Sequence, residues 1–340
     1  MKKRGIFKGL AEAKRQFIDK IKPGDMKNHD GKSFTRKRSL TLQRLLTIIL
    51  SCCPGGLQVR LDDFYEKTGN KEETVSKQAF SKARGNLAPE IVEDSFRLTT
   101  RIISECDDLE LFKGRFRLCA IDGSDVALDN ADELLKYFGG SGKNKDCVMA
   151  KASLCYDPLN NIILDGGLYP YGFSEREAAR KHFKSVSELP LQKGASNLYL
   201  ADRGYPSKEL FADMLDSDTY FLTRVRQKFS ADFDSIEKEG FAAFTRGGKA
   251  YRIRVFNITL DSGEKEILAT NLGEGELTYE EAGELQCRQL NVTPFCVCRK
   301  TSFFLAFSVR IYAQALLQLA VWLYQRQVLQ TVSAARQGFC

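Results

Sequence analysis

The apolar positions in the first third of the chain recur at helical spacing. Ile6, Phe7, Leu10, Phe17 and Ile21 are spread through a Lys/Arg-rich segment, residues 1–38, in the pattern of a solvated arm or helix. From Leu40 the run LTLQRLLTIILSCC predicts a buried helix stopped by Pro54-Gly55-Gly56, and LDDFYEKTG opens another helical segment. Helical periodicity continues to about residue 112. Within it, residues 75–84 (VSKQAFSKAR) turn Ala79, Phe80 and Ala83 inward and Lys77, Gln78, Ser81, Lys82 and Arg84 mostly outward. Small residues behind, with cationic and hydrogen-bonding side chains in front, suit a helix that meets bases and phosphates. An ordinary amphipathic helix with a solvated basic face has the same pattern.

At Arg115 the pattern changes to strands. FRLCAIDGS and VMAKASLCYDP are apolar runs of strand length, and a Leu159-Asn160-Asn161 turn joins the second to NIILDGGLYPYG as a hairpin. A polar helix (FSEREAARKHF), an apolar strand (NLYLAD), a helix from about Ser207 to Leu215 and another strand (TYFLTRVR) follow. The order β, β, β, α, β, α, β predicts an α/β fold, a mixed sheet flanked by helices in the ribonuclease H-like arrangement. After Arg226 comes a polar stretch. AYRIRVFNITL and EILATNL then form a second hairpin, a β insertion over roughly residues 227–273, ahead of a helix beginning TYEEAGEL. This divides the chain into a helical, basic DNA-binding region (1–112), the sheet core with its insertion (113–285) and a tail (286–340).

Charge sharpens that division. Residues 1–60 hold 15 Lys/Arg against 4 Asp/Glu, residues 61–285 hold 30 against 40, and residues 286–340 hold 6 against none. An acidic core beside a basic amino-terminal region points to chemistry on a polyanion. The ten cysteines form no paired CxxC spacing, and His29 and His182 are the two histidines, so a structural zinc site is not expected. The amino terminus lacks the unbroken apolar core of a secretory signal, which predicts a cytoplasmic protein with reduced thiols.

Two aspartates carry the candidate chemistry. Asp122 closes the apolar strand in LCAIDGSDVAL and Asp202 closes NLYLADRGY. Carboxylates delivered from the ends of separate strands suit Mg²⁺, or Mn²⁺, which prefer oxygen ligands and need few protein carboxylates beside water and phosphate. Paired cations can then support phosphodiester cleavage. Taken singly, each aspartate also reads as a strand-end turn residue or helix cap.

The motifs AIDGS and LADRGY, with SKQAFSKAR upstream, resemble bacterial insertion-sequence DDE transposases of the IS-four family over roughly residues 35–285. The resemblance implies a ribonuclease H-like core with a β insertion, Mg²⁺-dependent cleavage and strand transfer at transposon ends, and Asp122 and Asp202 as the first two metal ligands. It also implies Arg203 and Tyr205 near the DNA backbone. The implied partners are double-stranded DNA, as terminal inverted repeats and target, and a second copy of the chain in a homodimer. The implied setting is nucleoid-associated, without a membrane.

The third ligand breaks the pattern. The family places Tyr, two residues, Arg, three residues, then Glu on the helix after the insertion, but Tyr279 is followed by Ala282 and Gln286 in those slots. A motif begun at position 286 would put Thr293 in the Glu slot, ahead of the helix-breaking Pro294. Glu281 and Glu284 are the nearest substitutes, and Glu284 is retained as a weak catalytic candidate. Base composition predicts about nine acidic residues in a tail of this length, and their absence has a chance on the order of 10⁻⁴. Four of the ten cysteines and eight glutamines also lie beyond Leu285. A change of reading frame near codon 285 accounts for this composition, and a divergent basic tail is the alternative. The apolar segment FFLAFSVRIYAQALLQLAVWLY carries Arg310 and two glutamines, which argue against a membrane span. Two functions follow: a transposase impaired in this chain, or a noncatalytic DNA-binding relic that interferes with an intact transposase.

Overall fold

The computed structural model describes residues 9, 12, 15–19, 34, 39–51, 56–87, 89–142, 147–259, 263 and 265–291. The chain divides into two compact units. Among the described residues, one takes in those up to residue 108 together with 129–137, and the other residues 109–128 and those from 138 to 291.

The first unit is helical. Its described helices are α1 (Leu42–Ser51), α2 (Leu57–Lys67), α3 (Lys77–Arg84), α4 (Pro89–Ser104) and, up to Tyr137, α5 (Asp132–Phe138). Leu42, Leu45 and Leu46 fall at the i, i+3, i+4 spacing of one helix face and pack with Leu61 and Tyr65 of α2 and Phe80 of α3. Ser76 caps α3 by accepting the Ala79 N–H at 3.2 Å, and the Gln58 side chain accepts the Lys77 N–H at 2.8 Å, which fixes where α3 starts against α2. Ala79, expected inward, is exposed. Phe80 fills the inward position, and Ala83 and Arg84, three and four residues on, complete a half-buried stripe that leaves Ala79 outside it.

The second unit is built on a nine-stranded mixed sheet. Its elements are β1 (Phe116–Ala127), β2 (Gly140–Ser141), β3 (Cys147–Asp157), β4 (Ile162–Pro170), α6 (Glu175–Ser187), β5 (Ser196–Ala201), α7 (Lys208–Asp216) and β6 (Tyr220–Val225). After these come α8 (Ala231–Asp234), β7 (Glu239–Arg246), β8 (Lys249–Thr259), β9 (Lys265–Thr270) and α9 (Tyr279–Asn291). β4, β3 and β1 pair antiparallel, and β5 and β6 then add parallel to β1. This is the ribonuclease H-like strand order. The β3–β4 turn forms because Asp157 accepts the N–H groups of Leu159 and Asn160, at 3.0 and 3.2 Å, and Asn161 takes φ 59°.

The expected second hairpin is present as β8 and β9, and the sheet extends from it on both sides. The polar stretch after Arg226 contains β7, which pairs with β8 across Gly247 and Gly248, both at positive φ. β9 pairs antiparallel with β6 as well as with β8, so the insertion continues the core sheet. Alternate residues Phe116, Leu118 and Ala120 of β1 and Leu198 and Leu200 of β5 share a core with Leu222, Phe256, Leu268 and, from α9, Ala282 and Leu285.

No described helix is long and apolar enough to cross a membrane. The apolar tail segment, the acid-free tail from residue 292 onward and most of the basic arm over residues 1–38 lie outside the described residues.

Candidate active site

The parallel pairing of β1 with β5 runs from Phe116↔Ser196 to Ile121↔Ala201. Asp122 and Asp202 are the next residue on each strand, so the register sets them side by side on neighbouring strands. Both continue the alternation that places Leu118, Ala120, Leu198 and Leu200 in the core shared with α9. Asp122 does not end its strand as expected. Antiparallel pairing with β3 carries β1 on to Ala127↔Met149, so Asp122 stands where the parallel partner departs and the antiparallel one remains.

The next strand supplies a cation. β5 pairs with β6 through Ala201↔Thr223, which sets Arg224 level with Asp202. The Arg224 guanidinium lies 3.6 Å from Asp202 Oδ1 and is ion-paired with the buried Glu266 of β9. Asp202 Oδ1 is buried and accepts no hydrogen bond, while the Asp202 side chain as a whole is half exposed. One edge of the carboxylate therefore faces Arg224 and the other faces solvent.

Asp122 is held differently. Its Oδ1 accepts the Gly123 N–H at 2.9 Å. Burial pushes its carboxyl up to about 6, the Gly123 hydrogen bond works against that, and the negative charges of Asp202 and Glu175 add to it. Glu175 opens α6, where the helix dipole favours a carboxylate. A Cβ on Gly204 would stand 2.7 Å from Glu175 Oε2, so this glycine is what lets that carboxylate approach the turn after Asp202. Lys151 sits between Asp125, at 3.0 Å, and Glu175, at 3.5 Å.

Tyr205 lies under this group. The residue is 3% exposed and its hydroxyl is buried, 3.3 Å from where a Cβ on Gly123 would stand. Burial raises its pKa strongly, and the charges of Glu175 and Asp122 add to the rise. The chain turns inward after Arg203 and buries the ring, so Tyr205 stands as a packed ring, the alternative to a place near the DNA backbone. Beside it the Ser153 hydroxyl meets His182 Nε2 at 2.9 Å, and His182 Nδ1 meets Asp165 Oδ2 at 2.6 Å. These are the residue types of a nucleophilic triad, but Ser153 is 1% exposed and His182 is fully buried, so neither reaches a substrate. The chain satisfies buried polar groups behind the aspartates.

The remaining predicted residues are dispersed. Lys77, Gln78 and Lys82 are exposed on α3, and Ser81 and Arg84 are half-buried there. Arg203 is exposed, and its carbonyl accepts the Arg226 Nε–H at 3.0 Å. Glu284 is exposed on α9, whereas Glu281 pairs with Lys113 at 2.7 Å. The carboxylates that act on Asp122 are Asp202 and Glu175, not Glu284. Thr293 and Pro294, in the slot of the family's third ligand, lie outside the described residues.

Among the described residues no three His, Cys, Asp or Glu side chains stand at metal-ligand spacing. The Asp122–Asp202 pair is nonetheless an all-oxygen donor set whose Asp202 edge away from Arg224 faces solvent, which fits a hard divalent cation. Glu175 and Arg224 escaped the sequence reading. A glutamate after a Ser N-cap looks like an ordinary helix start, and Arg224 becomes relevant only once the register of β6 is known.

Residues 113–262 match the family model described as the transposase DDE domain, a span that includes both aspartates. Among solved structures, the chain is similar to a cryo-EM structure of the piggyBac transposase synaptic complex with hairpin DNA. The TM-score is 0.46 at 11% identity, covering 95% of this chain and 76% of that one. No curated protein sequence matches.

Proposed function

We propose that the chain is a DNA transposase by descent, with Asp122 and Asp202 holding Mg²⁺ or Mn²⁺ for hydrolysis and strand transfer at transposon ends. The observation that carries this reading is the register that sets the two carboxylates side by side at the end of the β1–β5 pairing, inside the segment matching the transposase DDE domain. A hard divalent cation bound there supplies electrostatic stabilisation to the phosphate oxygens of a scissile phosphodiester. The chain's own residues supply the rest. Arg224 holds one edge of Asp202 and keeps the other turned outward. The Gly123 N–H fixes Asp122. Lys77, Gln78, Ser81, Lys82 and Arg84 of α3 bind the DNA ends, and exposed Arg203 contacts the backbone near the reacting phosphate. The chain acts as a homodimer in the nucleoid.

Cleavage is impaired in this chain, because no acidic residue follows Glu284 where the family places its third ligand. That same feature favours the second reading, a noncatalytic DNA-binding protein that competes for transposon ends.

The test is nicking of a supercoiled plasmid carrying the element's terminal repeats, in Mg²⁺ and in Mn²⁺. The first reading predicts slow nicking that is lost in both Asp122→Asn and Asp202→Asn. Nicking that survives both substitutions contradicts it. Repeat-specific binding with no nicking in either cation selects the noncatalytic reading.

A further inference from the structure

The two edges of the sheet are built differently. At one, β4 carries Gly166, Gly167 and Pro170, and its pairing with β3 shifts register at Cys155/Tyr156. Such features blunt an edge against further pairing. At the other, β7 pairs with β8 in unbroken register from Glu239↔Phe256 to Arg246↔Lys249, and among the described residues no strand pairs with its outer side. Its sequence, EGFAAFTR, has no proline and keeps its two charges at the ends. One hydrogen bond fixes which groups are open. The Asn257 N–H donates to the Lys238 carbonyl at 2.8 Å, so the β7 residues in step with Lys238, namely Gly240, Ala242, Phe244 and Arg246, bond to β8. Phe241, Ala243 and Thr245 therefore turn their N–H and C=O groups to the open side, and all three residues are exposed. Phe241 is 47% exposed, with the Arg252 guanidinium 3.8 Å from its ring centroid.

We infer that β7 is an interface between two copies of this chain, which pair antiparallel along this edge with Ala243 at the two-fold axis. The inference rests on the homodimer reading above and deepens it. Charge selects the orientation. Glu239 opens the strand and Arg246 closes it, so antiparallel self-pairing sets the basic end of each copy against the acidic end of the other, whereas parallel pairing sets like ends together. Centring the pair on Ala242 would oppose Arg246 with Lys238, a like-charge pair that the Ala243 register avoids. The contact is self-complementary: each Ala243 exchanges N–H···O=C bonds with its counterpart, and Phe241 of each copy stands opposite Thr245 of the other. A long edge without bulge, proline or central charge is what such pairing requires.

The experiment is sedimentation velocity of the full chain without DNA, from about 1 to about 100 μM, on wild type, Ala243→Pro and Thr245→Pro, a range suited to a small interface. Proline at either position removes an N–H that faces the open edge and leaves the ladder to β8 intact. Wild type is expected to pass from monomer to dimer with concentration. Each proline variant is expected to raise the dissociation constant at least about tenfold, because every copy loses a hydrogen bond. Hydrogen exchange of wild type at the two ends of the range needs no variant: the amides of Phe241, Ala243 and Thr245 should slow with concentration, while those of Ala242 and Phe244 stay equally protected. Circular dichroism checks folding, and if both variants fail to fold, exchange decides. Dimerisation unchanged in the folded variants, with no concentration-dependent protection at Ala243, overturns the inference and leaves a homodimer through another surface. A wild type monomeric throughout the range also overturns it, and one that stays monomeric on terminal-repeat DNA contradicts the homodimer reading as well.

Discussion

At the scale of single residues the site works against the fold. Asp122 is raised to about 6 by burial and by the negative charges of Asp202 and Glu175. A carboxyl raised in the folded state contributes stability below its unfolded pKa, near 4, and that contribution is lost as pH rises through about 6. Asp122→Asn, neutral at every pH, should therefore match wild type near pH 4 and exceed it at pH 8 by on the order of 2 kcal/mol in chelator-treated protein. Urea unfolding at the two pH values measures this, and a difference that does not change with pH contradicts the electrostatic account. The same carboxyl must ionise to hold a cation, so Mn²⁺ affinity should fall as pH drops below about 6, approaching about tenfold per pH unit for one displaced proton. Arg224 acts in the other sense. Removing it as Arg224→Met would leave the buried Glu266 carboxylate unpaired, at a cost of roughly 3–5 kcal/mol in unfolding free energy.

At the scale of elements, the order of strands and helices in the core was legible because each core strand is an apolar run bounded by turn residues, as in NLYLAD before Arg203-Gly204 and VMAKASLCYDP before Leu159-Asn160-Asn161. β7 was not legible. Its segment EGFAAFTR exposes Phe241 and both ends, and it becomes a strand by pairing with β8, a nonlocal gain that composition does not record. The docking of the insertion on β6 was hidden for the same reason, and Arg254 ties the insertion to the segment that follows β9. From β8 this buried arginine donates to Glu239 of β7 and to the carbonyls of Gly273 and Leu277, at 2.9 and 2.8 Å, in the segment leading to α9. Arg254→Ala strands those acceptors and should lower stability by about 3 kcal/mol or more, read as a fall in Tm with the far-ultraviolet spectrum retained. An unchanged Tm would mean the insertion holds to the core by strand pairing alone. In the site, Asp122 and Asp202 were legible from strand-end placement, whereas Glu175 needed the position of Gly204 and Arg224 needed the β6 register.

At the scale of the whole molecule, the charge division separates basic residues 1–60 from acidic residues 61–285, and the proposed function would use the first on phosphates and the second on cations. DNA affinity should fall steeply between about 50 and 200 mM salt, and Lys77→Ala and Lys82→Ala should each reduce the log–log salt slope by about 1. A flat salt dependence contradicts phosphate binding by this region. The acidic unit rests on a narrower claim, that Asp122 and Asp202 form one cation site set by the β1–β5 register. Calorimetric titration of the full chain with Mn²⁺ at pH 7.5, beside the Asp122→Asn/Asp202→Asn double variant, tests that claim most directly. Saturable binding in wild type that disappears in the folded double variant is the predicted result, and equal binding by the two proteins would contradict it.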